Sequence, residues 1–166
     1  VVLRRPDRAV LTLAPLGEIA DLMRCFEFRI ALEGEAAYLA AQRRTQHDLD
    51  AIEVALTTLD QVIEREEVGV DADLRFHAAI SRATKNNFFI EQLDRLSGYV
   101  RNGMNLARRL SLARKRKRKR QFLVQNEHLE IAQSIIKQDE DAARTAMRLH
   151  IDNARKRALD DSIEPS

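Results

Sequence analysis

The chain has 166 residues, enough for one domain with its own core, so neither disulfides nor a metal is required merely to fold it. Charged residues make up 33% and hydrophobic ones 45%, an ordinary globular balance, and a formal net charge of +2 is too small to mark a nucleic-acid binder. A single cysteine, Cys25, excludes an internal disulfide framework and suits a reducing cytoplasm, while no stretch is apolar for long enough to span a membrane and no signal peptide is visible.

Taken in chain order, residues 1–15 stand apart. Val10 to Leu13 form a short β-prone run between Pro6 and Pro15, which reads as a linker or as the tail of a preceding domain, and a start at Val1 fits a piece of a longer protein. No proline occurs between Pro15 and Pro165, and glycines number five, so the rest predicts long helices with short connections. A first helix carries Leu22, Phe26, Ile30 and Ala37 on one stripe and ends near Arg44. Thr45 is placed to cap a second helix, with Asp48 closing a capping box, and Leu49, Ile52, Leu56, Leu59 and Ile63 form its apolar stripe until Gly69 breaks it. A third helix starts near Asp71, a turn at Asn86 and Asn87 precedes a fourth with Phe89, Leu93, Leu96 and Val100, and a fifth holds Phe122, Gln125, Leu129, Ala132 and Ile136. Asp139 opens a sixth, with Ala142, Ala146, Leu149 and Asn153. The class predicted is all-α, an antiparallel bundle of about six helices over residues 16–160, with 161–166 as a tail.

The four histidines can be placed one by one. His77 follows Asp73 by four residues, so a helix stacks the two on one face where both reach a single ion. His128 shares a face with Ala132 and Ile135, and His150 with Ala143, Ala146 and Met147, so both point inward, whereas His47 falls on the solvent side of its helix. A buried carboxylate at Asp73 needs a cation, and a divalent metal supplies one while using neutral imidazoles as donors. The alternative is a set of satisfied core histidines, with Asp73 bridged to a residue such as Arg101. Three imidazoles and a carboxylate suit zinc, nickel, manganese or iron, and donor type alone does not choose among them.

Four segments, RIALEGEAAYLAA from Arg29, DLRFHAAISRATKNN from Asp73, EHLEIAQSII from Glu127 and DEDAARTAMRLH from Asp139, together resemble the C-terminal effector (FCD) domain of FadR-type regulators in the GntR family. The resemblance implies a helical bundle that forms a homodimer, binds a small organic or sugar acid, and holds a metal through Asp73, His77, His128 and His150. It also implies effector contacts at Arg29 and Asn86. A guanidinium at Arg29 can grip a carboxylate with two parallel hydrogen bonds, its alternative being an ion pair with Glu33, and Asn86 can equally be a plain helix cap. Arg101 is a further inward candidate for the acid. The family's winged helix-turn-helix is absent here, so operator DNA would be reached only through a domain outside this chain. The run Arg114 to Arg120 is more basic than the family generally shows; it reads as a solvated end of the fourth helix or the connection after it, favoured by cations at a helix C-terminus, or as a phosphate contact. No general base or nucleophile accompanies the four ligands, so an enzyme is not predicted, and the remaining alternative is a metal that only staples helices in a dimerisation domain.

Overall fold

The structure, a computed structural model, describes residues 19–67, 69–110 and 117–163. Among them lie six helices and no strand: α1 (Ile19–Arg43), α2 (Gln46–Glu64), α3 (Val70–Ala83), α4 (Asn87–Leu110), α5 (Lys117–Ile136) and α6 (Glu140–Ile163). The all-α bundle read from the apolar period is therefore the fold, while the β-prone run Val10–Leu13 falls outside the described residues. No described helix is long and apolar enough to cross a membrane.

The helix starts follow local chemistry. Thr45 caps α2, its amide donating to Asp48 Oδ2 at 2.7 Å while the Asp48 amide reaches back to Thr45 Oγ1 at 3.4 Å. Lys85, from the turn after α3, also donates to Asp48 at 2.6 Å, so one buried carboxylate ties two helix ends together. Asp139 caps α6 through the Ala142 amide. The stops are less obvious. Gly69 does not end α2; that helix stops at Glu64, and the reversal falls on Glu66, with φ 55°. Lys85 and Gln138 take the same left-handed conformation after α3 and α5, where glycine is the usual occupant. Gly69 instead precedes α3, its carbonyl accepting the Asp73 amide at 2.9 Å.

Packing forms two layers. Buried side chains of α1, α2, α3, α5 and α6, among them Phe26, Ile52, Phe76, Ile131, Met147 and Ile151, make the main core. A second cluster, Ala36, Val70, Leu74, Leu93, Leu96 and Val100, joins α4 to α1 and α3. Along the α1–α6 contact Gly34 leaves room for Arg148, whose side chain lies 2.7 Å from where a Cβ would stand, and Glu35 beside it accepts from Arg144 and Arg148. The stripes foreseen for α1, α2 and α4 face these cores. Those for α5 and α6 are corrected: Phe122, Leu129, Ile136 and Leu149 are exposed, and the inward faces run through Gln125, His128, Ile131 and Ile135, and through Ala143, Met147, His150 and Ile151. The basic run is corrected too. Its described part, Lys117 to Arg120, opens α5, so no favourable interaction with a helix C-terminus applies there.

Asp48→Ala is expected to cost about 1–2 kcal/mol, because the carboxylate gathers the Thr45 amide and hydroxyl as well as Lys85. Burial opposes ionisation of Asp48, but its bonds with Lys85 and Thr45 hold the carboxyl below its ordinary 3.8. The wild-type advantage is thus full above 3.8 and is lost as pH falls through the depressed value. Urea unfolding of both chains at pH 7 and pH 3 checks this, and an unchanged gap at the lower pH would contradict it.

Candidate metal centre

The third, fifth and sixth helices bring Asp73, His77, His128 and His150 together, with one potential ligand atom from each lying within 4.8 Å of all the others. His128 is fully buried and His77 and His150 nearly so, while the Asp73 side chain is 14% exposed. His47 is exposed on α2, as its helix position required.

The outer nitrogens of the rings decide what the inner ones are. Glu33 Oε2 stands 2.5 Å from His77 Nδ1, and Glu127 Oε2 stands 2.8 Å from His150 Nδ1. Burial works against ionising Glu33, but Arg29 and His77 outweigh it and hold its carboxyl at about 2. Glu127 behaves alike, with hydrogen bonds from His150 and Arg157 overcoming burial to hold it at about 2. Ionised carboxylates only accept, so His150 Nδ1 must carry the hydrogen; the Glu33–His77 approach is out of line for a hydrogen bond and favours a hydrogen on His77 Nδ1 through charge alone. The Gln125 amide nitrogen donates to Leu56 and Asp60, which turns its oxygen toward His128 Nδ1 at 3.3 Å and fixes the same tautomer there.

All three Nε2 atoms are then left as inward lone pairs when the rings are neutral. His77 Nε2 and His150 Nε2 face each other at 3.3 Å. His128 Nε2 lies 3.2 Å from Asp73 Oδ1 but out of line for a hydrogen bond, so among the described residues this buried nitrogen has no hydrogen-bond partner. Lone pairs crowded against a carboxylate repel one another unless something positive sits between them. Two features show the same demand. Burial opposes charge on Asp73, yet its contact with His128 and positive charge on the neighbouring rings hold its carboxyl well below the ordinary range; burial pushes His150 down to about 4, whereas Glu33 outweighs burial at His77 and raises it. Neutral nitrogen donors, an ionised oxygen donor and outer carboxylates that orient the rings fit a divalent ion.

Glu33, Gln125 and Glu127 are the functional residues that sequence reasoning missed. Glu127 was legible only as the start of EHLEIAQSII. Its link to His150, and its bonds from Arg157 at 2.9 and 3.0 Å, join two helices that spacing cannot align.

Arg29 is buried and pairs with Glu33, Nε to Oε1 at 2.5 Å, so the alternative foreseen for it is realised. It nevertheless lines two cavities beside the cluster. One, about 610 Å³, includes His77, Glu33 and Arg101 in its walls, and the other, about 240 Å³, includes Asp73, His128 and His150. Arg101 is corrected as an inward residue: its side chain is 50% exposed at the rim of the larger cavity, paired with Asp71 rather than Asp73. Asn86 lines neither cavity; its side chain accepts the Phe88 amide at 3.0 Å and caps α4.

A family model described as the FCD domain matches residues 24–153. Over 143 residues the chain is 29% identical to the HTH-type transcriptional regulator LutR of Bacillus subtilis strain 168, covering 86% of this chain and 64% of that protein. It is 26% identical over 132 residues to a protein of Escherichia coli K12 described as a regulatory protein of the L-lactate dehydrogenase operon, covering 75% and 46%. Two solved structures share the fold: Streptococcus agalactiae GntR (TM-score 0.67, 20% identity, 84% of this chain and 60% of that one) and Escherichia coli McbR/YncC (TM-score 0.73, 16% identity, 85% and 65%). The chain thus spans less than two thirds of the length of each of these proteins. With the family model running through every helix that carries a cluster residue, the chain belongs to the FCD domain family, the effector-binding helical domain of GntR-type transcription regulators.

Proposed function

We propose that residues 16–160 form a sensing unit in which Asp73, His77, His128 and His150 hold a divalent ion and a small carboxylate effector is recognised there with help from Arg29. The observation that carries this reading is the set of three inward imidazole nitrogens facing one carboxylate within 4.8 Å. Zinc, nickel, manganese and iron all suit that donor set. When bound, the ion supplies a Lewis-acidic point that attracts carboxylate oxygens. Arg29 adds a fixed positive charge on the cavity wall, and Glu33 and Glu127 keep the rings oriented. A relative described as regulating an L-lactate dehydrogenase operon supports an organic acid as the effector class.

Residues 1–15 would lead to a DNA-binding domain outside this chain, and the whole would act as a homodimer on operator DNA in the cytoplasm; the tail foreseen from residue 161 is shortened, because α6 runs to Ile163. The acid changes DNA binding only to the extent that it binds one dimer arrangement more tightly than the other, typically by about 1–3 kcal/mol. Protein purified without chelators is expected to carry a stoichiometric divalent ion by elemental analysis, and carboxylic acids should then raise its melting temperature. A chain that holds no metal and responds to no acid ends the proposal. The ligands come from three helices, which also favours a purely stapling ion; in that case metal removal lowers the melting temperature while every acid leaves it unchanged.

A further inference from the structure

Resting on that reading, we infer that the effector is a short monocarboxylate with an apolar body, its acid head at the Asp73–histidine cluster and its body against Leu22, Phe26, Leu59, Val62 and Ile63, and not a polyhydroxylated sugar acid. Three of the four cluster residues, Asp73, His128 and His150, line the smaller cavity, which makes it the space into which a ligand on the ion would extend. Its walls beyond the cluster are predominantly hydrocarbon, from α1 and α2 on one side and from Val124, Ala154 and Ala158 on the other.

The polar groups on that lining are mostly committed elsewhere. The Gln125 amide is spent on Leu56, Asp60 and His128. Arg157 gives both terminal nitrogens to Glu127. Gln121 donates to the Glu67 carbonyl, and beyond the cluster's own His128 its side-chain oxygen is the buried acceptor on this lining without a partner among the described residues. Arg29, which gives its Nε to Glu33, and Arg120 also border this space, so the lining offers cations for an acid head and one free amide acceptor beyond the cluster, not the alternating donors and acceptors that a row of hydroxyls needs. Hydroxyl groups pressed on Phe26 and Leu59 would lose their water without replacement. Size points the same way. A cavity of about 240 Å³ lies below the range used by drug-sized ligands, roughly 300–1,000 Å³. A space of that size suits a short chain better than a long one.

The experiment is calorimetric titration of this chain, loaded with Zn²⁺ and separately with Ni²⁺, using acetate, butanoate, hexanoate, decanoate, adipate and gluconate. Affinity is expected to rise about fourfold for each added methylene up to about hexanoate and then level off or fall. Gluconate should bind at least about tenfold more weakly than hexanoate. Val62→Phe, which fills the cavity from α2, should weaken hexanoate at least about tenfold while metal binding and acetate binding persist, so a loss through misfolding is recognised at once. Tighter binding of gluconate, or of adipate with its second carboxylate for Arg120 or Arg157, overturns the inference and leaves acid sensing intact. Equal binding of all the acids also overturns it. Failure of every acid to bind the metal-loaded chain overturns the sensing proposal, and this inference with it.

Discussion

Asp73→Asn is expected to abolish the stabilisation that a divalent ion gives the wild-type chain, while the metal-free fold survives. The substitution keeps the shape of the side chain and removes the only charged donor among four. An ion that binds the folded state and not the unfolded one adds about 4 kcal/mol at a free concentration a thousandfold above its dissociation constant. Without the carboxylate, three neutral imidazoles must hold the ion alone, and at the same metal concentration most of that increment should vanish. The metal-free chain loses much less, because Asp73 is ionised beside inward lone pairs and its contact with His128 at 3.2 Å is out of line. Thermal unfolding of both chains, with and without metal, reads the two effects separately. An unaltered metal response in Asp73→Asn would show that the ion, if bound, sits elsewhere.

The second large effect falls on the Arg29–Glu33 pair. Both side chains are 5% exposed, and Glu33 also holds His77 at 2.5 Å. Arg29→Met leaves a carboxylate buried with one imidazole as its remaining partner, and truncating one member of a buried ion pair costs about 3–5 kcal/mol. Replacing both partners is milder, since Arg29→Met with Glu33→Gln removes the stranded charge along with its counter-ion. Urea unfolding of the two single variants and the double variant gives the comparison. If the double variant is as unstable as the sum of the singles, the pair does not act as a unit. The same double variant should bind metal about 10–100-fold more weakly, because the anion that faces His77 Nδ1 becomes a neutral amide and no longer raises the basicity of the ring.

Some features of the site lay in local sequence and others did not. Asp73 and His77 are one helical turn apart, and His128 and His150 each share a face with apolar neighbours, so that each donor points inward could be anticipated from periodicity, while their meeting at one point rested on the family resemblance. The Thr45–Asp48 box and the Asp139 cap were equally readable, because capping involves residues three apart. The α5 stripe was not. Apolar residues lie all around that helix, with Phe122, Leu129 and Ile136 outward and Ile131 and Ile135 inward, so no single face announces itself. Arg101 shows the same limit: its position on α4 set the side of the helix, but the distance to Asp71 rather than Asp73 set its partner.

By itself the sequence determined the helices, their caps and the four inward donors, since each depends on residues within one or two turns. Only the tertiary structure decided which nitrogen of each ring faces inward, because that follows from Glu33, Gln125 and Glu127. Two of those acceptors come from other helices than the rings they hold, and a helical repeat carries no information about how one helix is rotated against another. The hydrocarbon walls of the small cavity were settled in the same way, by α1, α2, α5 and α6 meeting around a cluster that no one of them contains.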